Sequence, residues 1–389
     1  MAKTLKSIFF CLTLFSFSYS QFNYTTDSLA VRAILDSCGC QPFQMVFHEV
    51  DHKMYPATVE NVSHATDGRI RSLYITGLLT GRIDGSSPPC STGILRREIG
   101  NLTELETLDV SFNSLQRFPV DFFTLNNLVA LDISKNDLRV LQPEIGNFTK
   151  LRGLYSHGNA LSTLPESIKL LDSLKELGLK LNVFSAIPPS LCSLSGLWRL
   201  DLTSNKLDSI SENIGNLSSL TVLETWGNNI QYLSPAIGNL KNLWMLDLGY
   251  NQLQSLPNEI GRLKSLGRLH LGHNQLHSLP DSIVLRDSLM LTISDNYICS
   301  VSPAIQVWLD QYAGIGWQQG QIGCPNNIVQ YFHPHKLQNS NTAYFIYDLL
   351  GKKSGISKNG QLPLSLRTGI YISKSTAVYG KAVKQCVVK

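Results

Sequence analysis

The stretch LKNLWMLDLGYNQLQSLPNEIGRL, residues 240–263, carries the pattern from which most of the chain is built. Leu246 and Leu248 are separated by one polar residue, and this alternation is typical of a strand with one buried face. Asn251 follows, and apolar residues then continue at intervals up to Leu263. The stretch therefore predicts a short strand, a turn at the asparagine and a return segment.

The asparagine recurs every 23 residues, except that the last follows after 22 because one residue is missing between Leu289 and Leu291. The positions are Asn113, Asn136, Asn159, Asn182, Asn205, Asn228, Asn251, Asn274 and Asn296. A repeat of this length cannot bury its own leucines, so neighbouring repeats must stack on one another. The period predicts a solenoid that needs a cap at each end.

In such a solenoid the Leu-x-Leu segments form short parallel strands, with the leucines inward and the residues between them on the concave side. We expect each asparagine amide to bond backbone groups of adjacent coils, because a buried backbone group left unpaired costs about 1–3 kcal/mol. Pro257 and Gly261 mark the return path, which we expect to be a short helix or 3₁₀ turn.

The pattern L-x-x-L-x-L-x-x-N-x-L-x-x-L-P-x-x-I-G-x-L resembles the leucine-rich repeat family over residues 97–298. The resemblance implies an α/β fold, namely a leucine-rich repeat solenoid with a parallel β-sheet on its concave face. An irregular earlier coil at 70–83 contains Leu73 and Ile75 but no asparagine. We therefore interpret residues 21–96 as an N-terminal cap with an irregular first repeat.

The first twenty residues are typical of a signal peptide. Lys3 and Lys6 precede the apolar segment IFFCLTLF, and small residues stand before Gln21. No later run is apolar and long enough to predict a transmembrane segment. We expect the mature protein to be secreted or attached to the outer cell surface.

The charge of the chain is unevenly distributed. Residues 326–389 hold nine Lys/Arg and one acid, whereas residues 21–325 hold 22 Lys/Arg and 28 acids. The break predicts two modules with different roles. Because the lysines of the tail are scattered among β-formers without a basic run, we interpret it as a solvated β surface and expect no nucleic-acid partner.

Residues 299–325 are interpreted as a C-terminal cap. Ala304, Val307 and Trp308 are predicted to form its apolar helical face, and Cys299 and Cys324 bracket the segment. We predict a disulfide between these two cysteines, with free thiols as the alternative. The segment resembles the C-terminal caps of secreted leucine-rich repeat proteins.

Seven cysteines remain after the signal peptide, so at least one is unpaired or intermolecular. Cys38 and Cys40 are both candidate partners for Cys90, and the sequence does not choose between them. Cys192 replaces a repeat glycine and is expected to be packed rather than reactive.

After a linker at 326–340, residues 341–389 predict short strands separated by Gly and Ser turns, consistent with a small β-sandwich. Their motifs resemble the C-terminal sorting domain of bacterial type IX secretion. The matching positions include Tyr347, Asp348, Gly351, Gly369 and Tyr371. The resemblance implies a secretion machinery as partner, and the alternative is an ordinary β domain.

The sequence HEVDH, residues 48–52, fits the H-E-x-x-H pattern of zinc proteases. No helix start precedes it, and no third ligand follows. On a strand, His48 and His52 would share a face while Glu49 would point away. We predict a polar strand of the cap, with a zinc hydrolase as the alternative. No other catalytic motif is found, so we expect no enzymatic activity and no cofactor.

We predict instead that the concave face binds a protein or polysaccharide. The candidate ligand-binding residues are Tyr155, His157, Trp226, Tyr250, His270, His273, Asp201, Glu224 and Asp247. The rings are either exposed anchors or lateral packing between coils, and the acids are otherwise a solvated row. His270, His273 and His277 suggest a metal, but no carboxylate completes a set and we expect none. A recognition or adhesion protein is the hypothesis, with a passive surface spacer as the alternative.

Overall fold

The computed structural model describes residues 63–64, 69–75, 95–285, 289–313, 317 and 321–323, together with Ala30 and four C-terminal strands. The signal peptide, residues 48–52 and the linker 326–340 lie outside the described residues. The same holds for Cys38, Cys40, Cys90 and Cys324. The predictions made for these parts remain predictions, including the Cys299–Cys324 disulfide.

The chain divides into two compact units. The first comprises residues up to Lys206 together with Asn216–Leu220. The second comprises Leu207–Gly215 and the residues from Thr221 onward. Each unit contains a sheet of short strands, one from each coil.

The strands of the first unit pair in chain order. They are β1 (Ser63–His64), β2 (Ile70–Tyr74), β3 (Thr107–Asp109), β4 (Ala130–Asp132), β5 (Gly153–Tyr155), β6 (Glu176–Gly178) and β7 (Arg199–Asp201). β1 is antiparallel to β2, and all later pairs are parallel. Leu108 lies opposite Leu131, one full repeat further along the chain.

The repeats of the second unit form two parallel sheets. The strands of these sheets are β8 (Ser209–Ile210), β9 (Val222–Glu224), β10 (Tyr232–Leu233), β11 (Met245–Asp247), β12 (Arg268–His270) and β13 (Met290–Thr292). β8 pairs with β10, while β9, β11, β12 and β13 are adjacent in that order. Leu269 still faces Leu291 although the repeat is one residue short, so the missing residue is absorbed before β13.

Each short strand has one buried and one open face. Leu246 of β11 is fully buried, whereas Met245 and Asp247 on either side of it are partly exposed. Burying a leucine side chain contributes on the order of 2 kcal/mol, and every coil repeats this contribution. We call the side carrying the residues that flank these buried leucines the open face of the sheet.

The return path of each coil is a short 3₁₀ helix, one of the two forms expected for it. The helices are Arg97–Asn101, Val120–Thr124, Pro143–Asn147, Glu166–Leu170, Leu191–Ser193, Glu212–Asn216, Pro235–Asn239, Asn258–Arg262 and Asp281–Leu285. Ile260 buries the apolar side of its helix, and Pro257 precedes it in an extended conformation. A Cβ at Gly261 would lie 2.6 Å from the carbonyl oxygen of Ser282 in the next coil. The glycine therefore permits the close approach of adjacent coils.

The repeated asparagines form a buried ladder that joins the coils. Asn251 accepts the N–H of Ile230 at 3.0 Å and donates to the carbonyls of Thr225 at 3.0 Å and Leu248 at 3.1 Å. All nine asparagines donate to the carbonyl three residues earlier. From Asn136 onward each also accepts an N–H of the preceding coil.

The residue before every ladder asparagine has a left-handed backbone, with φ between 52° and 69°. We call these positions the left-handed column: Phe112, Lys135, Gly158, Leu181, Ser204, Gly227, Tyr250, His273 and Asp295. Seven of the nine are not glycine, and each of those carries a cost of roughly 1 kcal/mol. The turn is thus imposed by the coil rather than by a glycine in the sequence.

The C-terminal cap is the helix α1 (Pro303–Tyr312), whose first turn is capped by the Ser302 side chain. Its buried apolar residues are Ile305, Trp308 and Leu309, whereas Ala304 and Val307 are exposed. The predicted face was therefore wrong except for Trp308. A helix that begins at Pro303 turns positions 305, 308 and 309 to one side, which is the i, i+3, i+4 spacing.

Gln321 takes over the role of the next ladder asparagine at the end of the repeats. Its Oε1 accepts the N–H of Ile298 at 3.2 Å, and its Nε2 donates to the carbonyl of Ile293 at 2.9 Å. The last coil therefore keeps its turn groups paired although no further repeat follows.

Four C-terminal strands form an antiparallel sheet. They are β14 (Tyr344–Tyr347), β15 (Lys353–Ser357), β16 (Ile370–Ser375) and β17 (Lys384–Val388), in the order β15-β14-β16-β17. Tyr347 and Tyr371 lie on β14 and β16, whereas Asp348, Gly351 and Gly369 lie outside the described residues. The second layer of a sandwich and the sorting role remain predictions.

The ladder generates a stability prediction. Asn251→Ala removes the side-chain amide that pairs with buried backbone groups of two adjacent coils. We expect this loss to lower the free energy of unfolding by about 3 kcal/mol. Asn229→Ala is the matched control, because Asn229 is exposed and lies outside the ladder. Urea denaturation followed by circular dichroism measures both. Equal stability of the two variants would contradict the structural role of the ladder.

Cys192 provides a second prediction. Its free thiol is 1% exposed, and burial raises its pKa to about 11. The reactive thiolate is therefore scarce and shielded at neutral pH. We expect N-ethylmaleimide to leave Cys192 unmodified in the folded protein and to label it fully in urea, as read by peptide mass spectrometry. Rapid labelling of the folded protein would show that this position opens.

Candidate functional site

Three aromatic rings contact one another in sequence along the open face of the second unit. The Trp226 and Tyr250 ring centroids lie 4.8 Å apart at 52°, and those of Tyr250 and His273 lie 3.8 Å apart at 26°. Trp226 is 40% exposed and Tyr250 is 48% exposed, and the His273 side chain is 41% exposed. We call these three residues the aromatic stack. It is an ordered, solvent-exposed surface of large side chains.

The repeat itself brings the rings together. Tyr250 and His273 occupy the left-handed column of successive coils, and adjacent strands are about 4.8 Å apart. Trp226 lies one position before that column and faces Gly249 of the next coil, where a Cβ would come within 3.0 Å of its ring. Asp295, next in the column, lies beside His273 with an Nε2–Oδ2 distance of 3.3 Å. The stack is therefore held at both ends.

Glu224, Asp247 and His270 form a row beside the stack on β9, β11 and β12, where the strand register places them opposite one another. Asp247 accepts the N–H of Gly249 at 3.0 Å through Oδ1. The Nε2 atom of His270 is buried and has no hydrogen-bond partner among the described residues. The row thus places two carboxylates on the open face next to the rings.

Tyr155 and His157 of the first unit pack laterally instead of standing free. The Tyr155 hydroxyl donates to Glu176 Oε2 at 3.2 Å, and its ring lies against Gly153. His157 Nδ1 accepts the N–H of Lys180 at 3.1 Å, and its ring covers Gly178. Both residues are only partly exposed. They have the geometry of the packing alternative.

The protonation equilibria of these two side chains reflect that packing. Burial raises the pKa of Tyr155, and the neighbouring Glu176 carboxylate raises it further. Burial lowers the pKa of His157 below its usual value, against the opposing effect of the Asp201 carboxylate. His157 is therefore neutral at physiological pH.

The aspartates of the repeat are not a free acidic row. Asp109, Asp132, Asp201 and Asp247 each accept the backbone N–H two residues further along, at 2.8–3.0 Å. Asp201 is 8% exposed. Each carboxylate pairs a donor at the point where the chain leaves the strand, so these side chains carry a structural task that the sequence pattern did not reveal.

The three histidines of one coil do not converge. His270 lies in the row on β12, His273 lies in the aromatic stack, and His277 stacks on Tyr297 with ring centroids 5.5 Å apart. Within the described part of the chain, no three His, Cys, Asp or Glu side chains are grouped as metal ligands. This arrangement offers no metal centre in that part.

Sequence reasoning missed a second exposed cluster on the same unit. Trp244 and Met290 are 47% and 61% exposed, and Arg268 lies between them. A sequence feature that could have indicated this cluster is a tryptophan with a glycine one repeat later. Trp244 faces Gly267 in this way, as Trp226 faces Gly249. Such a glycine makes room for the ring and keeps it ordered.

Comparisons with known proteins agree with this architecture. A leucine rich repeat family model matches residues 218–276. No curated protein sequence matches the chain. No helix among the described residues has the length and apolar composition needed to cross a membrane.

Solved leucine-rich repeat structures from several organisms are similar. A leucine-rich repeat protein of Leptospira interrogans is 27% identical, with 63% of this chain and 72% of that one covered and a TM-score of 0.46. An internalin of Listeria monocytogenes is 21% identical, with 64% and 76% covered and a TM-score of 0.46.

The ectodomain of the plant receptor kinase GASSHO1/SCHENGEN3 from Arabidopsis thaliana is 28% identical, with a TM-score of 0.51. The match covers 62% of this chain but only 32% of that one. Together with the parallel sheets and the asparagine ladder, the family-model match and the similarity to this ectodomain show that the repeats form a leucine-rich repeat solenoid, a fold that typically serves as a binding scaffold.

Asp132 provides a pH prediction. Burial raises its pKa to about 6, against the hydrogen bonds from Ser134, and Asp109 raises it further. Because the folded protein binds this proton more tightly than the unfolded chain does, the stabilising contribution is complete below about pH 3.8 and is lost as the pH rises through about 6.

We expect carboxyl-carbon NMR to show Asp132 titrating near pH 6. Asp132→Asn keeps the acceptor oxygen but does not ionise. The fall in stability that the wild type shows between pH 4 and 6 should therefore be smaller in this variant. A midpoint near the ordinary aspartate value would contradict the burial of this carboxyl.

Proposed function

We propose that the protein is an exported or surface-displayed recognition protein whose open face, on the second unit, binds a protein or polysaccharide. The aromatic stack is the anchor of this interface. The repeats supply a rigid scaffold, and the side chains between the buried leucines supply the contacts.

The observation that carries the proposal is the exposure of rings that are already ordered. Trp226 and Tyr250 present large apolar faces to solvent while neighbouring rings and a glycine gap fix their orientation. Tryptophan and tyrosine dominate the energetics of many interfaces. Because their rotamers are restrained before binding, little conformational entropy remains to be lost when a partner is bound.

Two further points support a binding role. The Arabidopsis ectodomain was solved in complex with CASPARIAN STRIP INTEGRITY FACTOR 2, so a similar repeat domain binds a partner. The amino-terminal sequence is typical of a signal peptide, and the C-terminal motifs resemble a type IX sorting domain. In this proposal the secretion machinery acts through the C-terminal domain, and the mature chain reaches the cell exterior.

The stack can be tested by removing its rings at little cost to the fold. We combine Trp226→Ala with Tyr250→Gly, because glycine suits the left-handed backbone of Tyr250 better than alanine does. Hits are first identified with wild-type protein on a glycan and protein array. We expect the double variant to bind the selected ligand at least about 30-fold more weakly, with an unchanged circular dichroism spectrum.

Tyr232→Ala is the matched control, since Tyr232 is 56% exposed but lies on the separate β8–β10 sheet. The control should bind like wild type. Undiminished binding by the double variant would refute the anchor role, and an array without any selective hit would favour a passive spacer. Stoichiometric zinc that is lost on His48→Ala would favour a hydrolase instead.

A further inference from the structure

A cation flanked by apolar side chains lies at the opposite end of the strands from the aromatic stack. The Arg268 guanidinium lies over the Trp244 ring, 5.5 Å from its centroid, and Nη2 approaches Met290 Sδ at 3.8 Å. We call Trp244, Arg268 and Met290 the arginine cluster. Arg268 is the first residue of β12, whereas the residues of the aromatic stack come after the last residues of β9, β11 and β12.

Arg268 has no acidic partner within the part of the chain that the structure describes. The residues opposite it on the adjacent strands are Met245 and Met290, both apolar. The only hydrogen bond of its side chain there is the weak contact with the Met290 thioether, and its Nε has no partner. The partly exposed Arg268 guanidinium is held on the face of a tryptophan ring and can still form an ion pair with a carboxylate.

We propose that the arginine cluster is a docking site for a protein segment in which an acidic side chain is flanked by apolar residues. The carboxylate pairs with Arg268, and its apolar neighbours pack on Trp244 and Met290. The proposal rests on the binding role of the open face and specifies the chemistry of the partner at one position.

The charges of the open face fix where the acidic residue binds. Moving along each strand from the Arg268 position, the next outward-facing row carries Glu224 and Asp247. These carboxylates repel an acidic group, so a segment that crosses the face binds with its acid at the arginine cluster and not at the row. This asymmetry gives the bound segment a defined register.

The apolar flanks favour a polypeptide over an acidic polysaccharide. Trp244 and Met290 are 47% and 61% exposed, and Met245 and Val222 continue the apolar surface on the neighbouring strands. A uronate polymer carries hydroxyls around every carboxylate and would leave much of this surface without apolar contacts. A peptide with leucine or phenylalanine beside glutamate matches both features.

The test uses two matched libraries of short peptides, acetylated and amidated so that only side chains carry charge. One library has a central glutamate between leucine or phenylalanine residues, and the other has glutamine in its place. We expect wild-type protein to bind the best glutamate peptides roughly tenfold more tightly than their glutamine counterparts. Arg268→Gln should abolish that preference while the circular dichroism spectrum stays the same.

Arg262→Gln is the matched control, because Arg262 is an exposed arginine at the end of the return helix before β12 and already lies near Glu259. It should keep the glutamate preference. The Trp226→Ala/Tyr250→Gly variant should weaken glutamate and glutamine peptides alike, which separates failure of the stack from failure of the arginine cluster. Equal binding of the two libraries by wild type, or a preference that survives Arg268→Gln, overturns the proposal. Capture of polygalacturonate in place of the peptides also overturns it.

Discussion

The structure depends on the pairing of buried backbone groups where each chain segment leaves its strand. Leucines drive the coils together, but a coil that turns inside the stack would leave amide and carbonyl groups without water or partners. The ladder asparagines bind donors and acceptors of two coils at once, as Asn251 does with Ile230 and Thr225. Gln321 performs the same task after the last repeat. This pairing fixes the register of the strands, and the register in turn determines where each side chain lies on the open face.

Much of this fold could be predicted because its signals are local and periodic. The 23-residue spacing and the Leu-x-Leu alternation predict the repeats and their parallel strands. The left-handed column could not be predicted in the same way, because residues such as Phe112 and Leu181 do not favour positive φ and adopt it only because the coil demands it. The buried face of α1 was mostly wrong because it depends on where the helix begins against the last coil.

The candidate site was less predictable, and for a different reason. Trp226 and His157 look equivalent in the sequence, since both rings stand where the repeat usually has a small or polar residue. Their environments differ because His157 covers Gly178 and accepts the N–H of Lys180, whereas Trp226 packs against Tyr250 at an angle and stays exposed. Whether a ring packs or projects is decided by residues about one repeat away. The arginine cluster escaped notice because its tryptophan precedes the strand, where the repeat pattern places no constraint.

The left-handed column has a consequence for how such a protein can change over time. Seven of its nine positions tolerate a side chain other than glycine, so the strain of roughly 1 kcal/mol at each is already part of a fold that is stable. Exchanging one such side chain for another leaves the buried leucines and the ladder untouched. Substitutions at these positions, whether natural or in a directed library, can therefore change the surface chemistry at one position per coil without changing the packing of the core.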